Sequence, residues 1–434
     1  MAVRSTGAAH VNPPLDWSAA RIPAQTTRLA NGLTVAAHRD PKAPLVAVYV
    51  AYRAGSREEP RGKAGLAHIC EHLMYSGTLA TSGSYFQPLE GAGATWINAF
   101  VAEDYSAYFA TVPVAALDCA LWMEADRMAH LGAALDRQRI DREREVVRNE
   151  LRQRESAPYG YATRRLAGLT CTEGHPYAHP PDGIIEQLDG IEEHDVREWI
   201  AARHAAANAA LIIVGDIDTG AAFDKAQEHF GAIAHGAPGM PPAVPENDGE
   251  AVRCVIEDRS VQNSRLYLAW PAPPLFAADY PAMEAAGRLL ETRLLRRLGV
   301  PAGPALEVVS ELRPRQLGSQ FILRISVRGA SETDPIQSAV VAEIKRLAQS
   351  AIQPGELRAL RLELFARLVR DLERVGGRPS KSVALGLALM VGGSADSHDR
   401  RVCALARVDV DAIAAAARRW LAVPPSSLTI RARQ

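Results

Sequence analysis

The sequence predicts two α+β domains of similar fold, each a mostly antiparallel sheet with helices packed on one side. Three observations predict this. The chain has 434 residues, too many for a single hydrophobic core. A stretch at 237–250 is rich in Pro and Gly and has no apolar period, which is typical of a linker. The alternation of strands and helices before this stretch returns after it, which indicates a duplication. We therefore predict an arm at 1–22 and domains at 23–236 and 251–434.

The first domain opens with a predicted hairpin, because Asn31-Gly32 is a turn signal between two short apolar runs. Strands are predicted where β-branched and aromatic residues cluster, and helices where apolar residues recur at helical spacing. After the hairpin, at 27–39, the predicted elements are a strand at 44–54, the helix that starts near 65, a short helix at 85–91, strands at 94–101 and 105–112, helices at 114–131 and 136–155, a strand at 209–216 and a helix at 221–230.

The second domain follows the same criteria. Its predicted elements are strands at 251–256 and 264–271, a helix at 281–298, a strand at 320–328, helices at 334–350, 356–375, 382–390 and 408–421, and a closing strand at 427–431. The two domains match in the order of their predicted elements, whereas their amino-acid sequences do not visibly repeat.

Composition excludes several classes of function. Lys and Arg number 49 against 50 for Asp and Glu, so the net charge of −1 gives no field that would attract nucleic acid. No apolar run reaches the roughly 18 residues of a membrane span, and 1–23 lacks the apolar core of a secretion signal. The five cysteines are scattered and form no Cys-x-x-Cys pair. We expect a soluble protein of the bacterial cytoplasm or periplasm.

The most informative motif is His68-Ile69-Cys70-Glu71-His72. Two histidines four residues apart share one face of a helix, where both imidazoles can bind zinc while a nearby carboxylate takes a proton from water. The order His-x-x-Glu-His is the inverzincin signature. The alternative is a chance pair without metal. Cys70 points elsewhere on a helix, so a small buried thiol is the better interpretation than a further ligand.

A zinc site of this kind needs a third protein ligand, and Glu150 is the candidate. It lies 78 residues after His72 on a predicted helix, and Glu143 lies seven residues earlier on the same face. One of them can bind metal while the other supports a histidine. The competing interpretation is a solvated, salt-bridged helix face, because this segment alternates Arg with Glu.

The chain resembles the pitrilysin and mitochondrial-processing-peptidase family of zinc metallopeptidases. The resemblance rests on the run from His68 to Thr78, on Asn98-Ala99 followed by 104–108, and on the Glu143–Glu150 pair; 175–177, Asn208 and 214–216 also fit. It implies that His68, His72 and Glu150 bind one Zn²⁺, that Glu71 is the general base and that Glu143 supports the site. It also implies that 23–236 is the catalytic domain, and that the two domains form half of a clamshell around a closed chamber.

These roles imply an endopeptidase that acts on unfolded peptides. An extended peptide would pair with the strand edge at Asn98 and Ala99 through its backbone, which tolerates many side chains. Without the resemblance, Asn98 is an ordinary strand-end residue. For His175 and His179, loop packing is the better interpretation than a second metal pair. Two other classes stay open: a non-catalytic structural subunit, and a peptide-binding subunit in which the metal only stabilises the fold.

The resemblance further implies a partner subunit. Other members use an Arg and a Tyr, usually seven residues apart, to clamp the substrate carbonyl, and the corresponding region here is 294–309. Arg296 or Arg297 can stand for the Arg, but no phenol lies near Ala305 and Leu306, and the closest earlier tyrosine is Tyr280. We therefore expect a heterodimer whose other chain supplies the pair, with a homodimer as the alternative.

Overall fold

The computed structural model describes residues 15–81, 84–172, 174–236, 250–329 and 333–433. Most of the predicted arm, 1–14, and nearly all of the predicted linker, 237–249, lie outside the described residues. Among the described residues, none of the helices combines the length and the apolar character that a membrane span requires. Below, the first half means residues 15–236 and the second half means residues 250–433.

The first half contains six strands and eight α-helices in its described part. They are β1 (Gln25–Arg28), β2 (Thr34–Arg39), β3 (Leu45–Tyr52), α1 (Leu66–Leu73), α2 (Phe86–Gly91), β4 (Thr95–Val101), β5 (Ser106–Pro113), α3 (Leu117–Ala134), α4 (Arg137–Ser156), α5 (Tyr161–Gly168), α6 (Ile185–Leu188), α7 (Glu193–Arg203), β6 (Ala209–Gly215) and α8 (Thr219–Phe230).

The second half, where described, contains five strands and six α-helices. They are β7 (Arg253–Asp258), β8 (Ser264–Ala272), α9 (Tyr280–Arg297), β9 (Ala305–Arg313), β10 (Ser319–Val327), α10 (Asp334–Ala348), α11 (Pro354–Asp371), α12 (Lys381–Met390), α13 (Asp396–Ala406), α14 (Val410–Ala416) and β11 (Ser426–Ala432).

Each half forms one sheet, and the predicted α+β fold with two similar halves is confirmed. The first sheet has the order β1-β2-β6-β3-β5-β4 and the second β7-β11-β8-β10-β9. Most neighbours are antiparallel, but β2 pairs with β6 and β7 with β11 in parallel, so both sheets are mixed. In both halves the last strand lies between two earlier strands, β6 between β2 and β3 and β11 between β7 and β8, and pairs in parallel with the first of them, which supports the predicted duplication.

Helices of the same half cover one face of each sheet, as predicted, and the opposite face packs against the other half. Leu385 and Leu389 of α12 pack against Tyr49 and Ile212 of the first sheet. Reciprocally, Leu166 of α5 belongs to the core formed on the second sheet. Burial of apolar surface on both faces therefore fixes the halves against each other.

Several elements were not predicted. The segment at 156–203 was read as a long connection but contains α5, α6 and α7, and α13 and β9 were also missed. The arm was predicted to be loose, yet its described end packs on the second half. Ile22 N–H donates to Asp399 Oδ1 at 2.8 Å, and Trp17 contacts Phe365 edge-to-face.

Candidate metal centre and active site

Helix α1 carries the His-x-x-Glu-His motif, and a buried carboxylate holds its first turn. Gly65, just before the helix, has a φ of 112°, a conformation that favours glycine. The fully buried side chain of Glu59 accepts the N–H of Gly65 at 3.0 Å and that of Ala67 at 2.8 Å through Oε1. These are orphan donors of a helix N-terminus, so Glu59 fixes where α1 begins.

Gly65 and Gly183 are packed against each other. A Cβ on Gly183, whose φ is 102°, would lie 2.6 Å from Gly65 Cα, so no larger residue fits there without a shift. This close approach brings the loop at 179–183 onto α1. The Nδ1 atom of His68 lies 2.9 Å from the carbonyl oxygen of Asp182. Because a carbonyl can only accept, Nδ1 carries the proton and the Nε2 lone pair is free to bind a metal.

Helix α4 places both acids of the predicted pair beside the histidines. Glu150 Oε2 lies 3.7 Å from His68 Nε2, and Glu150 Oε1 lies 3.5 Å from His72 Nε2. Glu143 Oε2 lies 3.6 Å from His72 Nδ1, on the other side of the same ring. The two acids therefore divide as the spacing suggested, with Glu150 facing both histidines and Glu143 facing only His72.

Arg154, one turn beyond Glu150 on α4, lies beside the two histidines and Glu150 and contacts two carboxylates there. Its guanidinium lies 3.7 Å from Glu150 Oε2 and also contacts the carboxylate of Asp182. Glu150 is therefore oriented from one side by a cation while its other face is directed at the two imidazoles.

The donor set fits zinc. Ligand atoms of His68, His72 and Glu150 all lie within 4.8 Å of one another. Two imidazoles and one carboxylate form a set that catalytic zinc uses, and three protein ligands leave a position for water. The ligand atoms of Asp118, Glu228 and His229 also lie within 4.8 Å of one another. In that group, however, the Lys225 ammonium already pairs with Asp118 at 2.6 Å.

The histidines have opposite pKa shifts. Burial, with the neighbouring His72, lowers the pKa of His68. Burial also acts to lower the pKa of His72, but the carboxylates of Glu143 and Glu150 outweigh it and raise that pKa. Contact with His72 lowers the pKa of Glu143, which keeps it ionised.

Glu71 stands outside the ligand group and lines the same cleft. Burial raises the pKa of its carboxyl to about 7, with further contributions from the charges of Glu150 and Asp182, and His72 opposes the shift. A carboxyl in this range can accept and release a proton near neutral pH, as a general base must.

The cleft has a volume of about 640 Å³ and is bounded on one side by β4. This strand is at the edge of its sheet and pairs only with β5 in the described part of the chain. Asn98 and Ala99 both line the cleft, although their side chains point to opposite faces of the sheet. The Ala99 N–H donates to the Asn98 Oδ1 at 2.8 Å.

The other residues considered from the sequence are buried or make hydrogen bonds or ion pairs outside the group of candidate ligands. Cys70 is completely buried, as expected of a small apolar thiol. His179 Nε2 lies 2.9 Å from Glu59 Oε2, whereas His175 Nδ1 accepts the Tyr177 N–H, so each imidazole makes a hydrogen bond of its own within the loop region. Arg297, at the end of α9, pairs with Glu343 of α10 at 2.7 Å.

Sequence reasoning missed Glu59, Asp182 and Arg154. Glu59 and Asp182 lie in connections, where residue spacing does not predict a contact with α1. The signal for Arg154 was available, since it lies four residues after Glu150 on the same helix face.

The sequence matches two family descriptions that follow one another along the chain. Residues 34–173 match "Insulinase (Peptidase family M16)", and residues 190–364 match "Peptidase M16 inactive domain". The first match contains His68, Glu71, His72, Glu143 and Glu150.

Similar proteins include proteases and processing subunits. The chain is 26% identical to "Zinc protease PqqE" of Helicobacter pylori, with 80% of each chain covered. It is 26% identical to "Probable mitochondrial-processing peptidase subunit beta" of Schizosaccharomyces pombe, over 58% of this chain and 57% of that protein. A solved protease from Helicobacter pylori, 23% identical, has the same fold with a TM-score of 0.82 and covers 95% of this chain and 100% of its own.

Proposed function

Because the chain belongs to peptidase family M16, we propose that it is the zinc-binding subunit of a metalloendopeptidase that cleaves unfolded peptides inside a closed chamber. The observation that carries this proposal is the geometry of one cleft. The cleft combines the His68, His72 and Glu150 donor set with the buried carboxyl of Glu71 and the free edge of β4.

In this proposal His68, His72 and Glu150 hold the metal, and Glu143 keeps the ring of His72 in place. When bound, zinc would lower the pKa of a water to about 7 and polarise the scissile carbonyl. Glu71 accepts a proton from the attacking water on a carboxylate oxygen and returns it to the leaving amine.

The edge of β4 supplies the substrate-binding surface. An extended peptide would add beside Asn98 and Ala99 through main-chain hydrogen bonds, and an unfolded chain has its main-chain groups unpaired and available for them. A peptide that uses the N–H of Ala99 would replace the bond this group now makes with the Asn98 side chain.

The competing proposal is a non-catalytic subunit that binds peptide or stabilises an assembly. One relative that is named as a subunit of a complex, "Cytochrome b-c1 complex subunit 1, mitochondrial" of Bos taurus, is 27% identical over 48% of this chain and 43% of its own. The intact donor set together with Glu71 favours the peptidase, because a purely structural subunit needs neither a general base nor an open ligand position.

The first prediction tests Glu71. Glu71→Gln should keep one zinc per chain, because Glu71 is not in the ligand group, and should lose about 10²–10⁴-fold in hydrolysis of an unfolded peptide. Elemental analysis and a fluorogenic peptide assay give the two readouts, and His68→Ala is the comparison that should lose the metal as well. If Glu71→Gln hydrolyses the peptide at the wild-type rate, Glu71 is not the general base. If the wild-type protein contains no zinc after metal-replete purification, the proposed metal site is wrong.

The second prediction concerns the partner. We propose that a homologous chain supplies the Arg/Tyr pair, because the region between α9 and β9 has no tyrosine and Arg297 is engaged by Glu343. A missing donor to the developing oxyanion costs roughly 10²–10³-fold in rate. The chain alone should therefore hydrolyse peptide weakly and gain activity on mixing with such a partner. Full activity of a homogeneous preparation would contradict this and favour a homodimer.

A further inference from the structure

We propose that Arg374 and Arg378, in the loop between α11 and α12, form a subsite that favours acidic side chains in the peptide bound along β4. The inference rests on the proposed function and adds a substrate class to it. The two arginines belong to the second half, yet both lie against the strand that borders the cleft of the first half.

The contacts are with two aromatic side chains of β4. The guanidinium carbon of Arg374 lies 5.1 Å from the centre of the Trp96 ring, and that of Arg378 lies 4.0 Å from the centre of the Phe100 ring. Both distances are within the range of cation–π attraction. A ring holds one face of a guanidinium and leaves its N–H groups, which lie in the plane, available to a carboxylate.

The sheet register shows which side of β4 the arginines occupy. Asn98 is paired with Phe109, and Phe100 with Ala107, so these side chains share one face of the sheet. Phe109 and Ala107 belong to the core between the first sheet and α12. The arginines therefore face the side of β4 opposite to that of Ala99, which is paired with Tyr108 on the α1 side.

Two glycines fix the loop on the sheet. A Cβ on Gly376 would lie 2.2 Å from Thr111 Oγ1 and 2.8 Å from Ala47 Cβ. Gly377 has a φ of 87°, and a Cβ there would lie 3.3 Å from the Trp96 ring. The backbone between the two arginines therefore packs closely against β3, β4 and β5. This packing fixes the positions from which the two arginine side chains extend.

The charges of the arginines are not compensated within the described residues. Arg374 and Arg378 are both exposed, and neither has a carboxylate within ion-pair distance there. Lys381, the first residue of α12, differs because its ammonium is buried against Asp40. β4 itself carries no acidic residue. A carboxylate arriving at this face would meet two cations and no fixed anion on the strand.

A peptide strand added to β4 would lie about 4.8 Å from it and direct alternate side chains to the two faces. One set would face the metal centre, and the other would lie beside Trp96 and Phe100. An Asp or Glu in the second set would accept hydrogen bonds from Arg374 or Arg378, whereas a Lys would be repelled. The subsite therefore acts on side chains at alternate positions, while the backbone pairing stays independent of sequence.

The test measures binding separately from hydrolysis. The full chain carrying Glu71→Gln, loaded with zinc, is titrated against fluorescein-labelled unfolded peptides that differ only in having Glu, Gln or Lys at alternate positions. Arg374→Gln and Arg378→Gln are made in the same background. Arg358→Gln, an exposed arginine at the other end of α11, is the matched control for the loss of one positive charge.

We expect the Glu peptide to bind most tightly and the Lys peptide least. Each loop substitution should weaken binding of the Glu peptide about two- to fivefold and leave the Gln peptide unchanged, since exposed ion pairs are weak. The preference should fade at about 1 M salt, where the Debye length is only ~3 Å. In the active form, the same substitutions should raise KM for the Glu peptide with kcat unaltered.

Two results would overturn the subsite alone: equal binding of the Glu and Lys peptides, or an equal loss of preference in Arg358→Gln. If no peptide binds in any form, with or without a partner chain, the proposed function fails and the subsite with it. The two failures are therefore distinguishable in one set of titrations.

Discussion

Glu59 should be the most sensitive residue outside the metal ligands, because it connects the motif helix to the loop that orients His68. Its Oε1 accepts two N–H groups at the start of α1, and its Oε2 lies 2.9 Å from His179 Nε2. Glu59→Ala would remove the carboxylate that contacts Gly65, Ala67 and His179, and it would leave the two buried N–H groups at the start of α1 without this acceptor. We therefore expect losses in both stability and metal affinity.

The magnitude follows from these contacts. A hydrogen bond to a charged group contributes about 1.5–3 kcal/mol, so two backbone bonds give roughly 3–6 kcal/mol before any offset. Burial raises the pKa of Glu59, so removing the carboxyl also relieves a desolvation cost, although His179 and the two N–H groups oppose that shift. We expect Glu59→Ala to lower the free energy of unfolding by about 2–4 kcal/mol.

Urea unfolding followed by circular dichroism measures the stability, and zinc titration of the folded protein measures the metal affinity. Glu59→Gln keeps one acceptor oxygen for the N–H groups and should fall between wild type and Glu59→Ala. Glu198→Ala, on the exposed face of α7, is the matched control and should stay within about 0.5 kcal/mol of wild type. If Glu59→Ala is as stable as that control, the carboxylate does not hold the start of α1.

Two further predictions concern buried groups away from the site. Burial lowers the pKa of His204 from 6.5 to about 3, so its contribution to stability is present above pH 6.5 and is lost as pH falls towards 3. His204→Phe should remove up to ~1.4 kcal/mol per pH unit of this acid sensitivity in urea unfolding between those values, whereas the exposed His194→Phe should not; identical pH profiles would contradict the assignment. Leu385→Ala should cost roughly 2–5 kcal/mol, because this completely buried residue of α12 packs on the first sheet. The exposed Leu362→Ala is its control, and equal unfolding midpoints would refute the packing role of α12.

The sequence by itself predicted the local structure and the candidate ligands. The spacing of His68 and His72 on a helix, and of Glu143 and Glu150 on another, follows from helical periodicity, which any sequence displays directly. The observed α1 and α4 confirm these helices, and the strands that border them were predicted within a few residues. The roles of these residues stay predictions until metal and activity are measured.

Other features depended on contacts between residues far apart in the chain. The carboxylate of Glu59, the carbonyl of Asp182 and the arginines near β4 reach their partners only after the sheets form, and no periodicity encodes that meeting. The missed strand β9 and helices α5, α7 and α13 have short or mixed patterns that become stable through packing, as most protein helices do. Tertiary structure alone decided that each half covers the other's sheet, because a buried apolar face in the sequence does not specify which surface will bury it.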